Sequence, residues 1–247
     1  MRIDRAGHVL HVETSGPAPP RFLCLHGLAD RSSIWEALAP GLAELGGVVL
    51  VDQRGHGEST APPGPYARRD LADDVIAVLD RLRIERAVLI GHSMGAIVAM
   101  ETAVAAPQRV RALVLIGATS QVNARAAAWY RTIAASARED GTAGVRRAIF
   151  GPHSTRDIVG DAAGMGEVTL CLASLHDDPL TPRLAALRCP ALVLVGDRDS
   201  LGTAGSEIIH RTLSGSRLEV MAGKHWLHVD AAGAVLESIR RFLESLP

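Results

Sequence analysis

Two patterns of apolar and polar residues alternate along the chain. Short, almost entirely apolar runs predict strands buried on both faces of a parallel sheet, at residues 21–25, 48–51, 86–90, 110–117 and 191–196. An alternating run at 8–14 and a further run at 217–221 predict two more strands. Helical spacing and capping signals predict helices at residues 32–46, 67–82, 96–103, 204–213 and 231–246. This alternation predicts the α/β class, with a mainly parallel central sheet flanked by helices on both faces.

The alternation of predicted strands and helices is interrupted between residues 119 and 187. This alanine-rich segment has no strand signal, and its helical candidates lie at 124–138, 142–150 and 167–175. A long structureless loop inside a compact domain is uncommon. We therefore predict a core formed by residues 1–118 and 188–247, with a small helical cap, residues 119–187, inserted before the last two strands.

Composition limits the class of protein without naming an activity. The chain has 247 residues, a formal net charge of −1 and no basic cluster, so we expect neither nucleic acid nor an anionic membrane as partner. The N-terminus lacks the apolar region of a signal peptide, which favours a cytoplasmic location. Three widely spaced cysteines fit neither a disulfide framework nor a zinc site. We expect a small-molecule substrate without a cofactor or metal, and the sequence leaves the oligomeric state open.

One short motif carries candidate chemistry. Residues 91–95 read G-x-S-x-G between a predicted buried strand and a predicted helix, with Ser93 at the centre. Gly91 and Gly95 occupy the positions where a Cβ atom would collide if the strand turned sharply into the helix. The unpaired N–H groups of a helix N-terminus also favour a developing oxyanion. The motif predicts an exposed nucleophile, although two-glycine patterns of this length also occur as simple strand-to-helix turns.

A serine nucleophile needs a base, and the base needs an orienting acceptor. Sites in open α/β sheets lie at the carboxyl ends of strands, which selects histidines in post-strand loops: His26, His56, His92, His225 and His228. We prefer His225 because it follows the last predicted strand, and His228 is its main competitor. Asp197 and Asp199 both follow the strand at 191–196; one would orient the histidine and the other would form the turn. The residues by themselves leave that choice open.

Taken together, the motifs resemble the α/β-hydrolase superfamily. They lie at residues 26–27, 52–59, 91–95, 196–199 and 224–225, and the resemblance extends over essentially the whole chain. It implies the α/β-hydrolase fold. It also implies that Ser93 is the nucleophile, His225 the general base and acid, and Asp199 the orienting carboxylate. The backbone N–H groups of Leu28 and Met94 would form the oxyanion hole.

The sequence departs from the family pattern at two places. Lys224 stands where relatives usually have glycine, and no carboxylate follows the predicted strand that ends at Gly117. The latter removes the alternative acid position that some relatives use. We expect Asp52, Arg54 and His56 to satisfy buried loop backbone and not to touch substrate.

The resemblance implies a serine hydrolase that cleaves a small carboxylic ester or lactone through an acyl-enzyme intermediate. Residues 128–131, 171–173 and 180–190 loosely resemble the 3-oxoadipate enol-lactonase group, which hydrolyses small anionic lactones. Four arginines could pair with a substrate carboxylate, although surface ion pairs are the more frequent outcome: Arg131, Arg138, Arg146 and Arg147. The alternatives are a C–C bond hydrolase or perhydrolase with the same triad, and a non-catalytic ligand-binding homologue.

Overall fold

A computed structural model describes residues 1–5, 7–17 and 20–246. Its central feature is an eight-stranded sheet with the strand order β1-β2-β4-β3-β5-β6-β7-β8. The strands are β1 (Arg2–Arg5), β2 (His8–Ser15), β3 (Pro20–Leu25), β4 (Gly47–Val51), β5 (Ala87–His92), β6 (Val110–Ile116), β7 (Ala191–Gly196) and β8 (Ser216–Met221). All seven strands that the apolar runs predict are present.

The sheet is mainly parallel, as predicted. Strands β3 to β8 pair in parallel, whereas β1 and β2 join one edge as antiparallel strands. The short β1 was not predicted, because its single buried residue, Ile3, stands among exposed and charged neighbours. Since the parallel strands share one direction, their carboxyl ends meet at the same edge of the sheet.

Helices cover both faces of the sheet. They are α1 (Ala39–Leu45), α2 (Arg68–Arg81), α3 (Met94–Ala105), α4 (Ala124–Phe150), α5 (Ala162–Ala173), α6 (Thr181–Leu184), α7 (Ala204–Thr212), α8 (Leu227–Asp230) and α9 (Ala232–Glu244). Alternate residues of a strand point to opposite faces. In β3, Leu23 and Leu25 belong to the apolar cluster that includes residues of α2, α3 and α7, whereas Phe22 and Cys24 belong to the cluster that includes residues of α1 and α9. The sheet therefore has an apolar core on each side.

Two helices begin at residues other than those predicted. The predicted helix at 32–46 is a 3₁₀ turn, Ser32–Trp35, followed by α1, which has a proline in its first turn. Helix α5 starts at Ala162, five residues before the predicted start, because the Asp161 side chain accepts a hydrogen bond from the Gly164 N–H at 3.0 Å and caps the helix.

The segment 119–187 contains the helices α4, α5 and α6. Helix α4 is continuous in outline, but Asp140 and Gly141 have non-helical dihedral angles, and φ of Gly141 is 57°. This break separates the two helices predicted there. Among the described residues, no helix is both long enough and apolar enough to cross a membrane.

Candidate active site

Ser93 occupies a strained turn between β5 and α3. Its φ of 52° and ψ of −113° lie outside the regions that non-glycine residues favour. A Cβ atom on Gly95 would lie 2.1 Å from the Leu25 carbonyl oxygen, and one on Gly91 would lie 2.4 Å from the Gly95 carbonyl oxygen. Both contacts are with backbone, so only glycine fits at either position. The turn holds the half-buried Ser93 at the carboxyl edge of the sheet.

The structure joins His225 to Asp199. The His225 Nδ1–H donates to Asp199 Oδ2 at 2.8 Å, and Asp199 Oδ1 accepts the Leu201 N–H at 2.8 Å. Because a carboxylate only accepts, Nδ1 carries the proton and Nε2 keeps a free lone pair. Asp197 instead accepts the Gly223 N–H at 2.9 Å, and its side chain is half exposed. Of the two carboxylates that sequence left open, Asp199 contacts the histidine and Asp197 fixes the next turn.

Two cavities meet at Ser93. The smaller, of about 120 Å³, is lined by Ser93 and His225 together, and the larger, of about 370 Å³, extends from Ser93 along α4 and α7. Trp129, Tyr130 and Leu201 line both. In the described part of the chain no hydrogen bond joins Ser93 Oγ to the His225 ring. Such bonds are often long before substrate binds.

The two residues whose backbone N–H groups are predicted to form the oxyanion hole come from the loop after β3 and from the start of α3. Leu28 follows β3 and lines the smaller cavity, and Met94 is the first residue of α3. Among the described residues, neither backbone N–H donates a hydrogen bond to another protein group. For Met94 this follows from its place in the first turn of a helix, where the N–H groups have no intrahelical acceptor. The assignment of both groups to an oxyanion hole stays a prediction.

A contact that sequence reasoning missed links three segments around the site. Asp30, whose side chain is 2% exposed, pairs with Arg156 and accepts the Trp226 indole N–H at 3.1 Å. The Arg156 guanidinium lies over the Trp226 ring, 5.1 Å from its centroid. The Leu28 loop, the His225 loop and the segment 119–187 are therefore joined. No local pattern in the sequence singles out Asp30, which is followed by Arg31 and two serines, and nothing local identifies Arg156, 126 positions away.

Comparison with known proteins identifies the family. The sequence profile of the family described as "alpha/beta hydrolase fold" matches residues 20–151. The chain belongs to the alpha/beta hydrolase family. Over 250 residues it is 26% identical to 3-oxoadipate enol-lactonase 2 of Acinetobacter baylyi, covering 95% of this chain and 93% of that protein.

Solved structures agree with this assignment. A thermophilic esterase from Thermogutta terrifontis superposes with a TM-score of 0.88 at 25% identity, covering 100% of this chain and 98% of that one. A hydrolase from Pseudomonas aeruginosa has a TM-score of 0.86 at 27% identity, covering 98% and 97%. The fold and the superfamily that the motifs implied are confirmed.

Behind His225, the alpha/beta hydrolase contains two further buried histidines. His92 Nε2–H donates to the His225 carbonyl oxygen at 3.1 Å, and its ring lies 4.7 Å from the His225 ring and 4.4 Å from the His228 ring. His228 also packs on Trp35, at 4.4 Å. Neither ring nitrogen of His228 has a hydrogen-bond partner among the described residues. His228 is thus a packing residue, and His92 supports the loop that carries His225.

Burial makes part of the stability of this alpha/beta hydrolase depend on pH. It lowers the pKa of His56 and of His228 from 6.5 to about 3, with nearby positive charge as a smaller cause. Below pH 6.5 the unfolded chain binds protons that the folded chain does not. We therefore expect the free energy of unfolding to fall by about 1.4 kcal/mol per pH unit for each of these histidines as pH drops from 6.5 towards 3.

Urea unfolding of the alpha/beta hydrolase at several pH values tests this expectation. Replacing the buried His228 with phenylalanine should remove about 2 kcal/mol of the stability loss between pH 6.5 and pH 5. His153→Gln, at an exposed position, is the matched control and should leave the slope unchanged. A His228→Phe variant with the wild-type pH slope would show that His228 is protonated in the folded protein.

Within the motif at residues 52–59 of the alpha/beta hydrolase, Asp52 and His56 contact loop backbone, and the His56 Nδ1–H donates to the Arg54 carbonyl oxygen at 3.0 Å. Asp52 accepts the backbone N–H of Ser32 at 2.6 Å and that of Glu58 at 2.9 Å. Arg54 differs from the expectation, because it makes two hydrogen bonds to the buried Asp74 side chain of α2, at 2.6 and 2.8 Å, and one to the Asp70 carbonyl oxygen of the same helix. None of these residues lines the two cavities at Ser93.

Charge is sparse around Ser93 of the alpha/beta hydrolase. The larger cavity is lined by apolar and neutral polar residues, and the ionisable residues of the smaller one, apart from Tyr130, are Asp30, His92 and His225. The four arginines considered above line neither cavity. Three of them face surface carboxylates of Asp177, Glu167 and Asp140. Among the described residues, no group of three or more His, Cys, Asp or Glu side chains is placed to hold a metal ion.

Proposed function

We propose that the protein is a serine hydrolase that cleaves a small carboxylic ester or lactone through an acyl-enzyme intermediate. The observation that carries the proposal is the 2.8 Å hydrogen bond between Asp199 and His225, in a histidine that shares a cavity with the strained Ser93. A nucleophile, a base and an acceptor that orients the base are the groups this chemistry requires. An enol-lactonase and an esterase among the similar proteins support the same reaction class.

In the first step, Ser93 Oγ attacks the carbonyl carbon, and His225 Nε2 takes the hydroxyl proton. The negative charge that develops on the carbonyl oxygen is accepted by the N–H groups of Leu28 and Met94, each typically worth about 3 kcal/mol. Asp199 stabilises the imidazolium and keeps the proton of Nδ1 in place. His225 then gives its proton to the leaving oxygen as the C–O bond breaks.

In the second step, a water molecule attacks the acyl-enzyme. His225 Nε2 takes a proton from that water, and the same two N–H groups accept the oxyanion again. Collapse of the tetrahedral intermediate releases the carboxylic acid and returns the proton to Ser93 Oγ. The enzyme is regenerated without any group beyond those of the chain and the water.

We also propose that residues 119–187 act as a cap that sets substrate size. Trp129 and Tyr130 of α4 line both cavities at Ser93, so this segment borders the space in which the substrate would lie. The cavities of about 370 and 120 Å³ suit a small ester or lactone and not a polymer. The division into a core, residues 1–118 and 188–247, and this cap remains a prediction.

Labelling with a fluorophosphonate tests the proposal. The reagent phosphonylates an activated serine with loss of fluoride, so we expect one label per chain, on Ser93, found by mass spectrometry of the peptides. Pre-incubation with a slowly hydrolysed ester should slow the labelling, and Ser93→Ala should not be labelled. An unlabelled wild-type protein would instead favour the non-catalytic ligand-binding homologue.

A further inference from the structure

A third cavity lies on the outer side of the loop that carries His225. It has a volume of about 240 Å³, and its charged residues are Arg156, Arg198, Lys224 and Asp230. We refer to this cavity as the basic groove. Three cations and one carboxylate give it an excess of positive charge, which contrasts with the neutral lining of the large cavity at Ser93.

The cations of the basic groove differ in how much of their charge is available. Arg156 pairs with the buried Asp30, and Arg198, whose side chain is 68% exposed, makes a 3.5 Å contact with Asp197. Lys224 is exposed and forms no ion pair within 4.0 Å among the described residues. Lys224 is also the residue that replaces the usual glycine before the histidine. Its charge is therefore free to meet an anion.

The basic groove adjoins the reaction centre. Ser200, His225 and Trp226 line both the groove and the smaller cavity that contains Ser93. The large cavity contains Ser93 but not His225. During acyl transfer the acyl group stays on the serine, whereas the leaving group takes its proton from the histidine. The acyl group thus belongs in the large cavity, and the leaving group lies on the side of His225.

We propose that the basic groove is a leaving-group subsite that selects esters whose alcohol or phenol carries a negative charge, such as a carboxylate, while the acyl group is uncharged. The inference rests on the proposed function, since it assigns the two halves of a substrate to the two sides of Ser93 and His225. Lys224 and Arg198 are the specificity-determining residues, because their positive charges attract the anionic leaving group. The carboxylate of Asp230 repels it.

Two matched esters separate the charge of the leaving group from its shape. One is 4-butanoyloxybenzoate, and the other is the neutral 4-butanoyloxybenzamide. The measured quantity is the ratio of their kcat/KM values. Lys224→Gln should lower this ratio about three- to five-fold, Lys224→Arg should restore it, and Asp230→Asn should raise it. Because the charges are exposed, about 1 M salt, with a Debye length of about 3 Å, should shrink the effect.

Arg217→Gln is the matched control. Arg217 is an exposed cation in β8, which runs from the opposite edge of the sheet towards the Lys224 loop, so the variant loses the same charge away from the groove. It should leave the ratio unchanged. A second pair of esters, phenyl hydrogen succinate and phenyl butanoate, places the negative charge on the acyl group. We expect the succinate to be the poorer substrate by at least about ten-fold, because its carboxylate would enter a cavity without a cation.

The outcomes separate the inference from the proposed function. If the wild-type protein hydrolyses both butanoate esters of the first pair, and Lys224→Gln leaves the ratio of their kcat/KM values unchanged or Arg217→Gln lowers it equally, the groove assignment is overturned while the hydrolase stands. If the wild-type protein hydrolyses neither ester, the proposed function fails and the inference fails with it. A fall in the ratio of the two kcat/KM values in Lys224→Gln but not in Arg217→Gln, with unchanged thermal stability, supports the assignment of the groove as a leaving-group subsite.

Discussion

Replacing Ser93 with alanine should reduce kcat for a short p-nitrophenyl ester by about 10⁵- to 10⁶-fold. In the proposed mechanism the variant loses the atom that bonds to the acyl carbon, so His225 and Asp199 would have no nucleophile to activate. Residual turnover by water attack would still be helped by the two N–H donors of the proposed oxyanion hole. The measurement is the steady-state rate of p-nitrophenol release.

Stability measurements show whether the loss is chemical. Ser93 has a φ of 52°, which alanine tolerates no better than serine, so Ser93→Ala should unfold within about 0.5 kcal/mol of the wild type. Ser93→Gly should be equally inactive but more stable than Ser93→Ala by about 1 kcal/mol, because glycine relieves the strain. An exposed serine, Ser214, supplies a control alanine variant that should keep full activity. Wild-type turnover in a folded Ser93→Ala protein would refute the assignment of the nucleophile.

Replacing Asp199 with asparagine should have the second-largest effect, a fall in kcat of about 10⁴-fold. The carboxylate accepts the Nδ1–H of His225 at 2.8 Å, which leaves the Nε2 lone pair free to take a proton. An asparagine can turn its NH₂ group towards Nδ1 and stabilise the opposite tautomer, in which Nε2 carries the proton and cannot act as the base. It also withdraws the negative charge that stabilises the imidazolium.

Asp197→Asn is the matched control for this prediction. Asp197 lies two positions away and accepts the Gly223 N–H, which holds its pKa below the usual range. An asparagine oxygen can accept the same hydrogen bond, so kcat should stay within about three-fold of the wild type. A larger loss of activity in Asp197→Asn than in Asp199→Asn would show that Asp197, and not Asp199, is the carboxylate that orients His225.

The fold was predictable because the central strands β4 to β7 are buried on both faces. A run such as Val48–Val51 has few stable places other than the interior of a parallel sheet, and this local property is visible in the chain itself. The short edge strand Arg2–Arg5 was missed for the opposite reason, since one buried residue in four gives no pattern. The early start of α5 at Ala162 depends on a cap by Asp161, which competes with the glycines that follow it.

The candidate site divides in a similar way. Ser93 could be selected from sequence, because the two glycines beside it are required by backbone contacts only one turn away. His225 was preferred over His228 only by position. The structure shows a physical difference between them, since His225 contacts a buried carboxylate and His228 packs between rings without a polar partner.

The sequence by itself determined the α/β class, the order of the buried strands along the chain and the strained turn at Ser93, because each depends on interactions between near neighbours. Only the tertiary structure shows the contact between His225 and Asp199, which the family resemblance implied but the residues alone left open, and that Arg156 reaches Asp30 and Lys224 and Arg198 border one groove. These pairings bring together groups far apart along the chain, and the many carboxylates and cations of the sequence compete for them. The packing of the loops at the carboxyl edge of the sheet determines which of these pairings form, and no local sequence pattern predicts them.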